Sequence, residues 1–478
     1  MERKTKILFL NLPAEEQITR RYMCSYPSPE SLLPPLELLS CAATTRELNG
    51  VEVHLFDAIA EKASLSRTVE FISEINPCFI LTLTGFECYE QDINNIRYLK
   101  SNSPNTKWAV FGHYATYFPE ETLKNSGADL VVCGEPEITF RKIIEAHSKT
   151  DNYNNLKGVA FFNNNDFFTT GLSERINDPN ILPIPAYDLI PSIDRYYEPF
   201  MKKPYAMIQT TRGCPYGCNY CVKSYGSKLS QLKVDRIIEE IKFLKELHNI
   251  KTLRFIDDTF TINKKRVVEL CNRLIQEKLD IEWMCLSRTD NIDESTALLM
   301  KEAGCKRIYF GVESGSQRML DMLGKGIKAN EAMTTLLMLR RIGIETAGFF
   351  LSGHPYETKE DFKESVSFAV KSKLSFVCFN PLQAYPGTPF FEQMRDKVHF
   401  SIYPYKLEWK DETINKKFSE NKVVFYTQFY IRIAYFVDGL SVFYKYKSHV
   451  IKLIVDMLRY LFWDRRFVIG GIKGPQDK

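Results

Sequence analysis

Over the first 150 residues, short apolar runs alternate with amphipathic segments. The apolar runs at 6–12, 51–57, 78–84, 108–112 and 130–133 are too short for helices and read as strands. Between them, apolar positions recur at helical spacing near 36–48, 66–75, 89–100, 119–126 and 137–147. Strands alternating with helices predict a doubly wound α/β domain, a parallel sheet covered on both faces. Such sheets bind ligands beyond the carboxyl ends of their strands, near the switch point. The loops that fall there are 13–31, 86–87, 113–119 and 134–136.

Residues 151–200 read as a connector, with a hairpin turn at Asn163-Asn164-Asn165 and a Pro-rich stretch at 181–191. A second alternating pattern spans 201–395. Strands are expected at 205–211, 252–256, 282–286, 307–311, 345–351 and 376–381. Helices are expected near 233–247, 264–278, 294–303, 329–342 and 359–371. The unusual polar residues cluster at the strand ends and the loops after them, where a parallel αβ barrel places its site. The tail, 396–478, is aromatic and mostly helical, with apolar patterns at 423–443 and 449–462. Lys445, Lys447, Lys452, Arg459, Arg465 and Arg466 admit a basic surface that touches membrane or a lipid-like substrate. A central Asp438 and Asp456 favour a cap packed against the barrel instead.

Composition narrows the class. A chain of 478 residues exceeds one ordinary core, so two or three domains are expected. Apolar content of 44% and charged content of 26% suit a soluble globular protein. A net charge of +4 is too small to argue for nucleic acid. The twelve cysteines are scattered singly apart from one triplet, which suits a reducing cytoplasm. No signal peptide is read at the N-terminus, and no uninterrupted apolar stretch reaches the length of a membrane span.

The triplet carries the chemistry. Cys214, Cys218 and Cys221 stand in Thr-Thr-Arg-Gly-Cys-Pro-Tyr-Gly-Cys-Asn-Tyr-Cys. A 4Fe–4S cube takes one outside ligand per iron, so three thiolates leave one iron open. Gly213 and Gly217 let the backbone wrap closely, and Tyr220 can shield the cluster from water. Zinc would want a fourth ligand at paired spacing, and no second C-x2-C occurs. A disulfide is compatible with the spacing, but three cysteines cannot all pair among themselves.

This run resembles the signature of the radical S-adenosylmethionine (SAM) superfamily. The resemblance implies a 4Fe–4S cluster on Cys214, Cys218 and Cys221, SAM on the open iron, and a partial (β/α)6 barrel at 201–395. The first 150 residues resemble the Rossmann-like, cobalamin-binding type of domain that precedes many such cores. Pro34-Pro35-Leu36-Glu37, Gly112-His113-Tyr114-Ala115-Thr116 and Gly134-Glu135-Pro136-Glu137 carry that likeness. The family's lower-ligand motif D-x-H-x-x-G is missing, since Ala-Ile-Ala follows Asp57, so no residue is named as a cobalt ligand. His54 and His113 read as a strand residue and a loop residue, and Phe111 as a side chain crowding the corrin tail. The loops Phe349-Phe350-Leu351-Ser352-Gly353-His354-Pro355 and Ala384-Tyr385-Pro386-Gly387-Thr388-Pro389 also resemble this class. His354, where the family often has Leu, reads equally as substrate-facing or as a hydrogen-bonded loop residue.

The resemblance assigns Asp257 and Asp258 to the SAM amino group and Glu313 to the ribose or substrate; Arg288 is read as a partner for the SAM carboxylate. For each the alternative is a structural ion pair or cap. The expected activity is reductive cleavage of SAM to a 5′-deoxyadenosyl radical that modifies a small-molecule or lipid-like biosynthetic substrate. Two outcomes stay open: methylation from bound cobalamin, or rearrangement, cyclisation or oxidation without methylation. The rival from another class is a non-catalytic cobalamin or iron–sulfur sensor, although no output module is found. The expected partners are the substrate and an electron donor such as flavodoxin or ferredoxin, with peripheral membrane contact through the tail as an alternative. A tRNA-modifying role would want a basic RNA module, which the near-neutral total opposes.

Overall fold

The structure is a computed structural model that describes residues 4–22, 25–28, 31–149 and 152–436. The chain divides into two compact units. The first takes in residues up to Pro215 together with Val222–Thr252 and Phe400–Lys406. The second takes in Tyr216–Cys221, Leu253–His399 and residues from Leu407.

The first sheet has seven strands: β1 (Thr5–Asn11), β2 (Val51–Asp57), β3 (Phe79–Leu83), β4 (Lys107–Phe111), β5 (Leu130–Val132), β6 (Val159–Asn163) and β7 (Asp166–Thr169). Their order is β2-β1-β3-β4-β5-β6-β7. The first five pair in parallel in the flavodoxin-like order, with the switch point between β1 and β3. Helices cover both faces, so Ile7, Leu8, Phe9 and Leu10 are all fully buried, which is why β1 reads as an unbroken apolar run. The segment read as a connector supplies β6 and β7, which extend this sheet antiparallel. Their turn is set by Asn164 and Asn165, both at positive φ.

The second sheet has six strands: β8 (Tyr205–Ile208), β9 (Thr252–Phe255), β10 (Glu282–Ser287), β11 (Cys305–Glu313), β12 (Glu345–Ser352) and β13 (Phe376–Pro381). They lie in chain order, with helices between successive strands from β8 onward, as a partial barrel requires. The last strand would leave an open edge. The helix Glu412–Phe436 covers it: Tyr426 Oη accepts the Phe379 N–H at 3.0 Å, and Phe425 stacks on Phe379 at 4.5 Å. This helix starts before the expected 423. The rest of the apolar pattern expected to 443, the helix expected at 449–462 and the basic tail surface lie outside the described residues. Among the described residues no helix is long and apolar enough to cross a membrane.

Candidate functional site

The three cysteines occupy an irregular loop between β8 and the helix Val234–His248. None is joined in a disulfide; Cys218 is buried and Cys214 and Cys221 are half-buried. Gly213 precedes them at φ +85°, and a Cβ there would stand 2.2 Å from the Lys228 carbonyl, so only glycine fits. The stretch from Tyr216 to Cys221 is fixed by backbone contacts. Asn219 donates from its backbone N–H to Leu323 O and from Nδ2 to Met322 O, while its own carbonyl accepts the Phe390 N–H. Among the described residues, no three His, Cys, Asp or Glu side chains converge as a single-ion site requires. A cube places each thiolate on a different iron, so its ligands stand further apart than those of one ion.

Arg288 follows β10 and points at this loop. Its Cζ lies 3.7 Å from the Tyr216 ring centroid, a close cation–π stack. Nε and Nη2 are committed to Asp290 at 3.0 and 2.9 Å, and Nη2 also donates to Lys325 O at 2.8 Å. Nη1 is aimed at Cys218 Sγ, 3.9 Å away. A thiolate-ligated cluster carries negative charge in a region of low dielectric, and a fixed guanidinium offsets it.

Glu313 ends β11 at a bulge. The register against β12 slips between Gly311 and Glu313, and Glu313 adopts φ +65°, a left-handed conformation that is costly for a residue with a side chain. The bulge turns the carboxylate onto Lys325 Nζ at 2.9 Å, both side chains being buried. The Tyr220 hydroxyl also hydrogen-bonds to Glu313, and burial holds that phenol well above its usual range. Gly311 makes room for the pair: a Cβ there would lie 2.3 Å from Glu313 Oε1 and 2.8 Å from Lys325 Nζ. Burial lowers the Lys325 ammonium's affinity for its proton, but Glu313 and Cys218 outweigh this and leave its pKa raised.

The adjacent aspartates part company. Asp257 is fully buried with Oδ2 3.5 Å from Arg266 Nη2, whereas Asp258 is half-buried. His354 accepts the Tyr356 N–H at Nδ1 and packs against Phe390, so the hydrogen-bonded loop reading describes it. Several residues escaped sequence reasoning. Lys325 is one; its only signal is a lysine between Gly324 and Gly326. Asn219 Oδ1, Thr289 Oγ1 and Asn291 Nδ2 are buried with no partner among the described residues. They are polar atoms of the kind that an amino-acid or nucleoside ligand satisfies.

In the first unit, the carboxyl edge of the sheet is lined by the expected loops. His113 begins a short helix after β4; it is buried, and burial pushes its imidazole down to about 4. Its Nδ1 lies 3.3 Å from Ser224 Oγ. Phe111 is fully buried beneath Tyr22 rather than projecting from the edge. At the switch point Arg20 joins Asp92, Asn11 and the Leu12 carbonyl in a buried network. Thr19 and Thr82 keep buried hydroxyls without a hydrogen-bond partner among the described residues, groups that a polar ligand tail could satisfy.

Comparison with known proteins agrees with this geometry. Residues 208–369 match the radical SAM superfamily and residues 28–144 match the B12 binding domain. An uncharacterized methyltransferase of Pyrococcus horikoshii is 33% identical over 363 residues, covering 75% of this chain and 78% of that protein. An anaerobic magnesium-protoporphyrin IX monomethyl ester cyclase of Cereibacter sphaeroides is 24% identical over 77% of this chain and 62% of its own length. In fold, the chain resembles the cobalamin-dependent SAM radical enzyme OxsB with TM-score 0.74 at 14% identity, over 96% of this chain and 73% of that one. The cofactors are therefore a 4Fe–4S cluster, SAM and cobalamin, and the sensor reading falls. Three thiols in one loop, a guanidinium aimed at one of them, and a B12 binding domain ahead of the barrel place the chain in the radical SAM superfamily, among the enzymes that carry that domain.

Proposed function

We propose that this enzyme is a cobalamin-dependent methyltransferase acting on a small-molecule or lipid-like biosynthetic substrate. The observation that carries this reading is the match of a single chain to both domains, together with its similarity to a relative named as a methyltransferase. When bound, SAM and the reduced cluster supply a 5′-deoxyadenosyl radical, and cobalamin supplies a methyl group. Cys214, Cys218 and Cys221 hold the cluster. Arg288 offsets the charge at Cys218 through Nη1 and is locked in place by Tyr216 and Asp290. Glu313, braced by Lys325 and Tyr220, faces the same loop and would accept from a SAM hydroxyl or ammonium. Asp258 stands nearer to solvent than Asp257 and is the member of that pair suited to meet SAM. Asp257 orders the strand end by pairing with Arg266. An electron donor such as flavodoxin or ferredoxin would supply the electron that the cluster needs.

The second reading is a radical cyclisation or oxidation without methylation. It is favoured by the similarity to a relative named as an anaerobic cyclase. One experiment separates the two. The protein is purified anaerobically with hydroxocobalamin, reduced, and supplied with SAM and extracts of candidate substrates. A corrin absorption band with S-adenosylhomocysteine and a methylated product supports the first reading. 5′-Deoxyadenosine without S-adenosylhomocysteine overturns it in favour of the second.

A further inference from the structure

The stems on either side of the cysteine loop are gripped by one buried stack. Arg212 lies two residues before Cys214. Its Nη1 donates to Glu135 Oε2 at 2.6 Å and to Glu137 Oε2 at 3.3 Å, and its Nη2 donates to Glu137 Oε1. All three side chains are buried, Glu137 at 1% exposure. The guanidinium also lies 4.9 Å from the centroid of Tyr225, four residues after Cys221, and Tyr225 packs on Tyr22 at 5.2 Å. Beside it, Ser224 meets His113, and the Cys214 N–H donates to Gly226 O at 3.1 Å. The stem before the first cysteine and the stem after the third are thus pinned to three loops at the carboxyl edge of the first sheet. Tyr22 and Glu135 lie in those loops, and His113 and Glu137 lie at the starts of the helices that follow them.

This arrangement is expensive for a fold. Two buried carboxylates share one guanidinium, and burial alone would favour an apolar contact in its place. What an apolar contact lacks is direction. A planar fork held by two carboxylates fixes the position and rotation of Arg212, and with it the chain leading into Cys214. We propose that Glu135 and Glu137 are positioning residues for the iron–sulfur cluster, acting through Arg212 to set where Cys214 stands. The proposal rests on the reading that Cys214, Cys218 and Cys221 ligate the cluster.

The test uses the full chain, reconstituted anaerobically with iron and sulfide, as wild type, E137Q, E135Q, E137D, R212K and C214A. Four readouts are taken: iron per chain, thermal midpoint, the electron paramagnetic resonance spectrum of the reduced cluster with and without SAM, and 5′-deoxyadenosine formed per cluster. E137Q and R212K are expected to keep their iron, to show an altered spectrum with SAM, and to lose roughly ten- to a hundred-fold in rate per cluster. R212K keeps the charge but not the fork, so it is not rescued; E137D retains the charge and recovers part of the rate. If E137Q does not accumulate, E135Q removes one arm of the fork and carries the same readouts. A lower midpoint with a wild-type spectrum and wild-type rate per cluster in these variants would overturn the positioning role, while loss of iron in C214A leaves the ligand reading intact. Full iron and normal SAM cleavage in C214A would overturn the ligand reading and this proposal together.

Discussion

Replacing Glu313 by Gln separates structure from function at the center of the site. The carboxylate accepts from Lys325 Nζ at 2.9 Å, and both side chains are under a tenth exposed. Gln keeps the shape and removes the charge, leaving an ammonium buried without its counter-ion. Breaking a buried pair from one side costs about 3–5 kcal/mol. At ~2–4 °C per kcal/mol this lowers the unfolding transition on the order of 10 °C. On the role proposed for Glu313, the variant should also lose a charged hydrogen bond to SAM, worth about 1.5–3 kcal/mol, or roughly ten- to a hundred-fold in binding. The cysteines are untouched, so iron content stays at the wild-type level. The pH dependence has a definite sign. Lys325 has a raised pKa in the fold, so its stabilisation is complete below its unfolded value of about 10.4 and is lost as pH rises through the higher folded value. In E313Q that alkaline loss should vanish. The double variant E313Q/K325M removes both charges, and apolar replacement of a buried pair is often neutral. It should regain the thermal midpoint but not SAM binding, measured by calorimetry on the anaerobic protein. Wild-type SAM affinity and deoxyadenosine yield in the double variant would refute a ligand role and leave Glu313 as the partner of Lys325 alone.

Three further outcomes are expected. Arg288→Lys keeps the charge but cannot both stack on Tyr216 and fork onto Asp290, so SAM turnover should fall at least about ten-fold with iron retained; an unchanged rate would remove Arg288 from the site. Burial pushes His354 and His113 down to about 4, so both are neutral in the fold at neutral pH and bind protons more readily when unfolded. Stability should therefore fall as pH drops from about 6.5 towards 4, and H354Q should flatten part of that slope in acid titrations followed by circular dichroism. His113 is buried against Ser224 and His54 pairs with Glu52 on β2, so bound Co(II) cobalamin should show no axial nitrogen from the protein. Electron paramagnetic resonance on protein labelled with heavy nitrogen decides this, since a splitting that changes with the label would place a protein nitrogen on cobalt.

Most of the secondary structure was legible because parallel strands buried on both faces read as apolar runs and the helices between them keep a helical period. The strand at 376–381 and the helix at 359–371 coincide with the observed elements to the residue. The short hairpin Ile18–Arg20 with Ser25–Pro27 was not legible, because three-residue strands are too short to show a period. The turn of the β6–β7 hairpin was visible in its asparagines, but its pairing to β5 is a tertiary choice that no local signal encodes. The aspartate pair shows the same limit at a single site. Asp257 and Asp258 stand just past the end of β9, where the chain enters a turn, so no strand alternation assigns their directions. Asp257 is held by Arg266, on the following helix, a pairing that the local sequence does not encode. Glu313 is placed by a register slip against β12, a property of two strands rather than of the motif that carries it.

The weak motifs carry a different lesson. Pro34-Pro35-Leu36-Glu37, Gly134-Glu135-Pro136-Glu137 and Thr211-Arg212-Gly213 each say little alone, and each contains a charge that the fold buries. Glu37 accepts from Arg21 and from the Tyr22 N–H, while Glu135 and Glu137 close on Arg212. A buried carboxylate persists only with a donor, so every such motif implies a partner elsewhere in the chain. Tyr22 links the two clusters, since its backbone meets Glu37 while its ring meets Tyr225, which itself lies over Arg212. Three segments that are remote in sequence therefore converge on the stems of the cysteine loop. Their common purpose is visible only once the buried charges are matched, donor to acceptor, across the first unit.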